Sequence, residues 1–418
     1  MKRDLQIHMD RLMRTIDKSA DIGKLPCGGI RRLALTNEDK NMRDLYIRWL
    51  KNIDLEVRVD DFGNIYGRRE GKNPNAAPVL IGSHLDTQPE GGRYDGILGV
   101  LAGLEVLTVL NESGIQTDRP IELINFTNEE GARFEPPILG AGGLSGHFDH
   151  QFVYSRTDRE GKTFLDELKR IGYHGSKRNR IQNAYCYLEL HIEQGPVLEH
   201  KNVDIGIVTG IQGMNWLEVK ITGQSDHAGP TPMNMRKDAL YAASKMIQMI
   251  KQTAVNFHHE ATATVGRLSI KPNSINCVPG EVTFSVDIRH SHDTIKEQLT
   301  QLLIEKISVC AAAEKVSVQI DKIWESSATR FSESLINIIA ENADKLGYSN
   351  QKMISGAGHD AKYMNRITPT AMIFVPSADG KSHCQEEFTT PQEIEKGANL
   401  LLKTVYQLAN HHTNASFL

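Results

Sequence analysis

The chain has 418 residues, too many for one compact core and enough for two or three domains. Hydrophobic residues make up 39% and charged residues 24%, which excludes a fibrous or disordered chain. Lys and Arg number 48 against 52 Asp and Glu, a net charge of −4, so no basic excess points to nucleic acid or an anionic membrane.

The longest mostly apolar stretch, Ile97–Leu110, runs 14 residues and is broken by two glycines and a glutamate, too short to span a bilayer. The opening MKRDLQIHMDRL carries charge with no apolar run behind it, so no secretory signal is expected. Five cysteines (Cys27, Cys186, Cys277, Cys310, Cys384) are widely spaced and form no CxxC pair. They predict reduced thiols and a cytoplasmic protein rather than a disulfide framework or a thiolate metal site.

In chain order, Leu5, Met9, Leu12, Met13 and Ile16 recur at helical spacing. Val79-Leu80-Ile81 reads as a strand ending at Gly82-Ser83-His84, and Asp95 to Leu110 as a buried helix. Ile121–Phe126 is a strand that stops at Thr127-Asn128-Glu129-Glu130. Residues 186–193 alternate, with Cys186, Leu188, Leu190 and Ile192 on one face and Glu189, His191 and Glu193 on the other. Strands separated by helices predict a mostly parallel sheet covered on both faces.

Beyond Trp216 the pattern changes. Strands at Trp216–Thr222, Thr262–Ile270, Val282–Arg289 and Val316–Ile320 enclose helices at Met235–Phe257 and Ile295–Ala313. That β-α-β-β-α-β order is a self-sufficient α+β unit. A helix at Glu333–Leu346, a strand at Ala371–Val375 and a helix at Ile394–Asn410 then return to the first pattern. The expected architecture is an α/β domain from residues 1–210 and 327–418, with an α+β domain inserted at 211–326.

Ligands of open parallel sheets gather beyond the carboxyl ends of the strands. His84, Glu129 with Glu130, His191 and His383 all follow such ends, and Asp95 opens the helix after the first of them. Each alone has an ordinary reading as a capped turn or a satisfied side chain. Five nitrogen and oxygen donors at one edge are mutually repulsive unless cations hold them. Two divalent ions a few ångströms apart account for the set, one carboxylate bridging them. Asp86, two residues after His84, suits a role in orienting that imidazole. With no thiolate donor, zinc, manganese, cobalt and nickel are all chemically allowed. Of the adjacent Glu129 and Glu130, one can bind metal while the other stays free as a general base beside an acidified water; spacing does not say which.

The segments GSHLDTQPEGGRYDGILGV (82–100), TNEEGARF (127–134), HIEQGPVLE (191–199), GQSDHAGPTPM (223–233) and SGAGHD (355–360) resemble the M20 di-metal amidohydrolase superfamily. More narrowly they resemble its hydantoinase/carbamoylase branch: N-carbamoyl-L-amino acid hydrolases, β-ureidopropionases and allantoate amidohydrolases. The resemblance implies His84, Asp95, Glu130, His191 and His383 as metal ligands, Asp95 bridging, and Glu129 as the base. It implies substrate contacts from Gln194, from His227 at the scissile carbonyl, from Asn276 and Arg289 at a substrate carboxylate, and from Gly358 and His359 in a closing loop. It also implies a homodimer through the inserted lid domain and a small ureido substrate carrying a carboxylate. Zinc is the ion expected first.

Several features fall outside this pattern. His258-His259 match no motif and are expected at the surface; no GxGxxG, Walker or GxSxG context supports nucleotide binding or serine hydrolysis. Cys384, beside His383, is expected to be buried as a small hydrophobe. The activity expected is hydrolysis of a ureido C–N bond to amino acid, CO₂ and ammonia. Rival readings are an allantoate amidohydrolase, a peptidase or deacylase of the superfamily, and a catalytically dead binding protein on the same fold, which would lack a ligand or the base.

Overall fold

The computed structural model describes residues 5–26 and 28–410, so Cys27 lies outside the described residues. Contacts divide the chain into two compact units: one runs to Thr209 and resumes at Phe331, the other is Gly210–Arg330.

The first unit is built on a sheet whose central strands are β3 (Val79–His84), β4 (Ile121–Phe126), β5 (Cys186–Ile192) and the strand Thr370–Val375. They lie side by side in the order β4-β3-β5-370–375, all parallel. Antiparallel strands flank them: β1 (Glu56–Val59) and β2 (Ile65–Arg69) beyond β4, and Ile205–Ile211 beyond 370–375. Every residue of the four central strands is buried, as expected where helices cover both faces. The alternation in β5 therefore does not mark a wet face. Its polar side is an interior floor, where Glu189 accepts hydrogen bonds from Ser83 Oγ, Tyr187 Oη and the Ala361 N–H.

The helix Ile97–Glu112 is apolar nearly all round and lies against β3, with the helices Met9–Ala20 and Pro391–Ala409 packed over it. Its glutamate is no interruption: Glu105 accepts from the His8 N–H and ion-pairs with Arg11 at 2.7 Å, tying the first helix down. Pro391–Ala409 starts from a capping box, Thr390 with Glu393, and has Pro391 in its first turn. Close strand approach is set by Gly82, whose φ is 151° and whose Cβ would lie 2.0 Å from the Ile124 carbonyl oxygen. Any larger residue there would part β3 from β4 two positions before His84.

The second unit is an antiparallel sheet, ordered Leu268–Lys271, Glu281–His290, Gly213–Thr222, Ser317–Ser326. Leu217, Val219, Val282, Phe284 and Val286 form its core with the helices Ala239–Phe257 and Asp293–Ala313. Several expected elements differ, among them the last strand, expected to end at Ile320, which runs Ser317–Ser326. The strand expected at 262–270 is two short strands, Thr262–Thr264 and Leu268–Lys271, both pairing with Glu281–His290. The helix expected from Met235 starts at Ala239, because the Asp238 carboxylate accepts from the Leu240 and Tyr241 N–H groups and caps it there.

One buried ion pair braces the loop that follows β4. Arg43, in the helix Asn37–Asn52, donates to Asp39 at 2.8 Å, to the Gly63 carbonyl at 2.7 Å and to Thr127 Oγ1 at 3.2 Å. Removing one partner of such a pair leaves an uncompensated interior charge. Arg43→Leu is expected to lower unfolding stability by about 3–5 kcal/mol in urea titrations.

Candidate metal and catalytic site

Parallel register brings the donors to one level. His84, at the end of β3, pairs with Phe126, which leads into Glu129 and Glu130; His191, near the end of β5, pairs with Phe374. Asp95 and Gly96 stand immediately before the helix Ile97–Glu112. Gly96 takes a left-handed φ of 66°, and a Cβ there would sit 2.2 Å from His84 Nε2, so the imidazole can lie over this turn only because it is glycine.

Asp95 is the centre of the cluster. Its Oδ1 lies 3.5 Å from His84 Nε2 and 3.2 Å from His191 Nε2, while Oδ2 lies 3.3 Å from His383 Nε2. Glu130 reaches His383 Nε2 at 3.4 Å, and Glu129 reaches His84 Nε2 at 3.5 Å. Two overlapping donor groups result: His84, Asp95 and His191, and Asp95, Glu130 and His383. Asp95 is common to both.

The ring nitrogens are sorted by main-chain carbonyls. His84 Nδ1 faces the Asp86 carbonyl at 2.9 Å and His191 Nδ1 faces the Ile192 carbonyl at 2.9 Å, which turns both Nε2 atoms inward. His84 Nε2 is buried with no hydrogen-bond partner. A buried lone pair flanked by two carboxylates calls for positive charge, and the donor chemistry fits a divalent cation. Electrostatics agrees. Burial and then the charges of Asp360, Glu130 and Asp95 push the Glu129 pKa well above the carboxylate range, and burial with Asp95 pushes Glu130 up to about 7. Asp95 goes the opposite way: burial opposes its charge, but His191, His383 and His84 hold it well below the usual value. His383 is raised to about 9, chiefly by its hydrogen bond to Asp95.

Other expected site residues take varied positions. The Asp86 carboxylate stands 3.9 Å from His84 Nδ1; its main-chain carbonyl orients the ring instead, and the carboxylate accepts from the Glu129 and Glu130 N–H groups at 3.3 Å. Gln194 Nε2 donates to Asp95 Oδ2 at 2.6 Å, while its Oε1 is buried without a partner. His359 is buried with its ring centroid 4.5 Å from that of His191 and its Nε2 2.9 Å from Ser355 Oγ; Gly358 precedes it, half-buried. Cys384 is half-exposed rather than buried, because the His383 backbone turns through a left-handed φ of 58°.

In the second unit, His227 and Asn276 come together: the two-residue strand Asp226–His227 pairs with Cys277–Val278, and the Ala228 N–H donates to the Asn276 carbonyl. Both side chains are exposed. Arg289 lies further along the main sheet, on the face away from Val282, Phe284, Val286 and Ile288, and ion-pairs with Asp287 at 2.7 Å.

Three supporting residues went unnoticed in the sequence. Gln88 donates to Glu130 at 2.7 Å, and Ser382 donates to Asp95 Oδ2 at 2.6 Å and to Glu387 at 3.1 Å. Glu387 in turn accepts from the Tyr94 and Asp95 N–H groups, and a Cβ on Gly92 would meet it at 2.2 Å. Gln88 lies in the 82–100 motif and the other two flank His383, the only signals they offered.

Comparison with known proteins places the chain. The pattern of Peptidase family M20/M25/M40 matches residues 80–407. The chain is 40% identical over 406 residues to an N-carbamoyl-L-amino-acid amidohydrolase of Rhizobium meliloti, covering 97% of each. It is 34% identical over 399 residues to an allantoate amidohydrolase of Bacillus subtilis, covering 94% of this chain and 96% of that one. An amidase of the hydantoinase/carbamoylase family from Burkholderia multivorans shares the fold with a TM-score of 0.94 at 42% identity, covering 98% of this chain and 100% of that one. By sequence and by fold, the chain belongs to the M20/M25/M40 peptidase family.

Proposed function

We propose that this chain is a metal-dependent amidohydrolase that cleaves the ureido C–N bond of N-carbamoyl amino acids, releasing amino acid, CO₂ and ammonia. The observation that carries the reading is Asp95 facing two donor groups at the sheet edge, in a chain similar over its whole length to a carbamoyl-amino-acid amidohydrolase. A second reading, allantoate as substrate, is favoured by a match to an allantoate amidohydrolase that covers nearly as much of the chain, at lower identity.

In this reading His84, Asp95 and His191 hold one divalent ion and Asp95, Glu130 and His383 the other. Bound there, zinc, manganese, cobalt or nickel would polarise the carbamoyl oxygen and make water a nucleophile near neutral pH. Glu129 takes the proton from that water and gives it to the leaving nitrogen. His227 donates to the carbonyl oxygen as it gains charge. Asn276 and Arg289 bind the substrate carboxylate, Arg289 exchanging Asp287 for it, since a planar guanidinium can pair bidentately with either acid. Gln194, Gly358 and His359 shape the remaining wall. The reading extends to a homodimer formed through the inserted unit. It also extends to the cytoplasm, a reducing compartment that suits the four cysteines among the described residues, all free; no described helix is long and apolar enough to cross a membrane.

Ammonia release from N-carbamoyl-β-alanine, N-carbamoyl-L- and D-α-amino acids and allantoate, each with the four metals, tests the substrate class. Carbamoyl amino acids should lead; cleavage of dipeptides alone would refute the assignment. Glu129→Gln should keep its metal by elemental analysis yet lose nearly all turnover, and substantial residual turnover would remove Glu129 as the base. Gly96→Ala should lower metal content, because the new methyl group displaces His84. Cys384→Ser should change neither metal content nor rate.

A further inference from the structure

The antiparallel sheet of the inserted unit packs its helices on one face. Its other face carries Met214, Trp216, Glu218 and Lys220 of Gly213–Thr222, with alternate residues of the neighbouring strands beside them. Most of this open face is polar, as suits contact with water. Glu218 pairs with Arg267 at 2.9 Å, Lys220 with Glu281 at 2.9 Å, and Gln319 donates to Asp321 at 2.8 Å. One end differs. There Trp216 stands between Asp287 on one neighbouring strand and Trp324 on the other, and Met214 stands directly across from Arg289. A bulge between Lys322 and Trp324 skips Ile323, so that Trp324 is the residue set beside Trp216. The two indole rings lie 6.4 Å apart, tilted by 42°, yet Trp216 remains 38% exposed and Met214 and Trp324 are only half-buried. Single apolar side chains on a surface are ordinary, but a contiguous group on an otherwise polar face marks a place where something binds.

What binds there is constrained by Arg289. Residues directly opposite in an antiparallel pair have Cβ atoms about 5 Å apart and diagonal ones about 7–8 Å, within reach of long side chains. Met214 is the opposite neighbour of Arg289 and Trp216 a diagonal one. A carboxylate seated on Arg289 therefore holds whatever the adjoining carbon bears against these two residues. In an N-carbamoyl α-amino acid that substituent is the side chain. N-carbamoyl-β-alanine has no side chain to place there. Allantoate would place its second ureido group, which an apolar wall strips of water without replacing the lost hydrogen bonds.

We propose that Met214, Trp216 and Trp324 form the wall that receives the substrate's side chain, so that the preferred substrates are N-carbamoyl α-amino acids with a large apolar side chain. The inference rests on the reading of Arg289 as the carboxylate clamp of a carbamoyl amidohydrolase. The test compares kcat/KM for the better enantiomer of N-carbamoylphenylalanine with that for N-carbamoylglycine, N-carbamoyl-β-alanine and allantoate. It is run on the parent and on Trp216→Ala, Trp216→Phe and Met214→Ala, each checked for folding by circular dichroism. One methylene in an apolar site is worth about tenfold or more, so the phenylalanine-to-glycine ratio should exceed about tenfold in the parent. That ratio should fall about tenfold in Trp216→Ala and less in Trp216→Phe. Met214→Ala should lower it too, which decides the matter if Trp216→Ala does not fold. An unchanged ratio in the folded variants, or a parent that prefers N-carbamoyl-β-alanine or allantoate, overturns the proposal and leaves the amidohydrolase reading standing. A parent that releases ammonia from none of the four compounds refutes that reading, and the side-chain wall with it.

Discussion

Buried negative charge at the edge of one sheet is the constraint around which the first unit is organised. Asp86, Asp95, Glu129 and Glu130 converge within a few ångströms of three imidazoles, in an interior where an isolated carboxylate is strongly disfavoured. Asp95 makes the arrangement tolerable because its two oxygens face different histidines, and each half of the cluster borrows its charge. The same surplus of acid over base gives cations a reason to bind there.

Such a cluster needs a scaffold that does not relax. Steric exclusion supplies part of it: Gly82 brings β3 against β4 and Gly96 brings its turn under His84, so that neither backbone has room for a side chain. Hydrogen bonds supply the rest. Asp86 fixes the main chain of Glu129 and Glu130, Glu387 fixes that of Tyr94 and Asp95, and Arg43 braces Thr127 from the far side. Reacting groups placed on strand ends and held by a second layer of contacts keep the orientation on which catalysis depends.

The inserted unit follows a different logic. Its antiparallel sheet is covered by helices on one face, so alternation in Glu281–His290 separates core from surface cleanly and leaves Arg289 with Asp287 on the outer side. Polar residues gather instead where strands end and turn. His227 meets Asn276 across two short strands, and His258 meets His290 where a helix gives way to a strand.

What could be read from the sequence was what local pattern controls. Apolar runs located β3 and β4, helical spacing located the first helix, and the return of an α/β pattern after residue 327 marked the chain as discontinuous. That His84, Asp95, Glu129, Glu130, His191 and His383 would come together was legible because each follows a strand end or opens a helix at one edge of the sheet. Contacts between distant segments were not. No local signal says that Glu387 will bond the main chain at Asp95, that the Asp86 carboxylate will accept from the Glu129 and Glu130 N–H groups, or that His258 will meet His290. Whether β5 would be wet on one face or buried on both depended on the helices packed over the sheet, elements far away in sequence. Periodicity reports the environment of a segment's own neighbours; the partners of a buried polar atom are chosen only when the sheet closes.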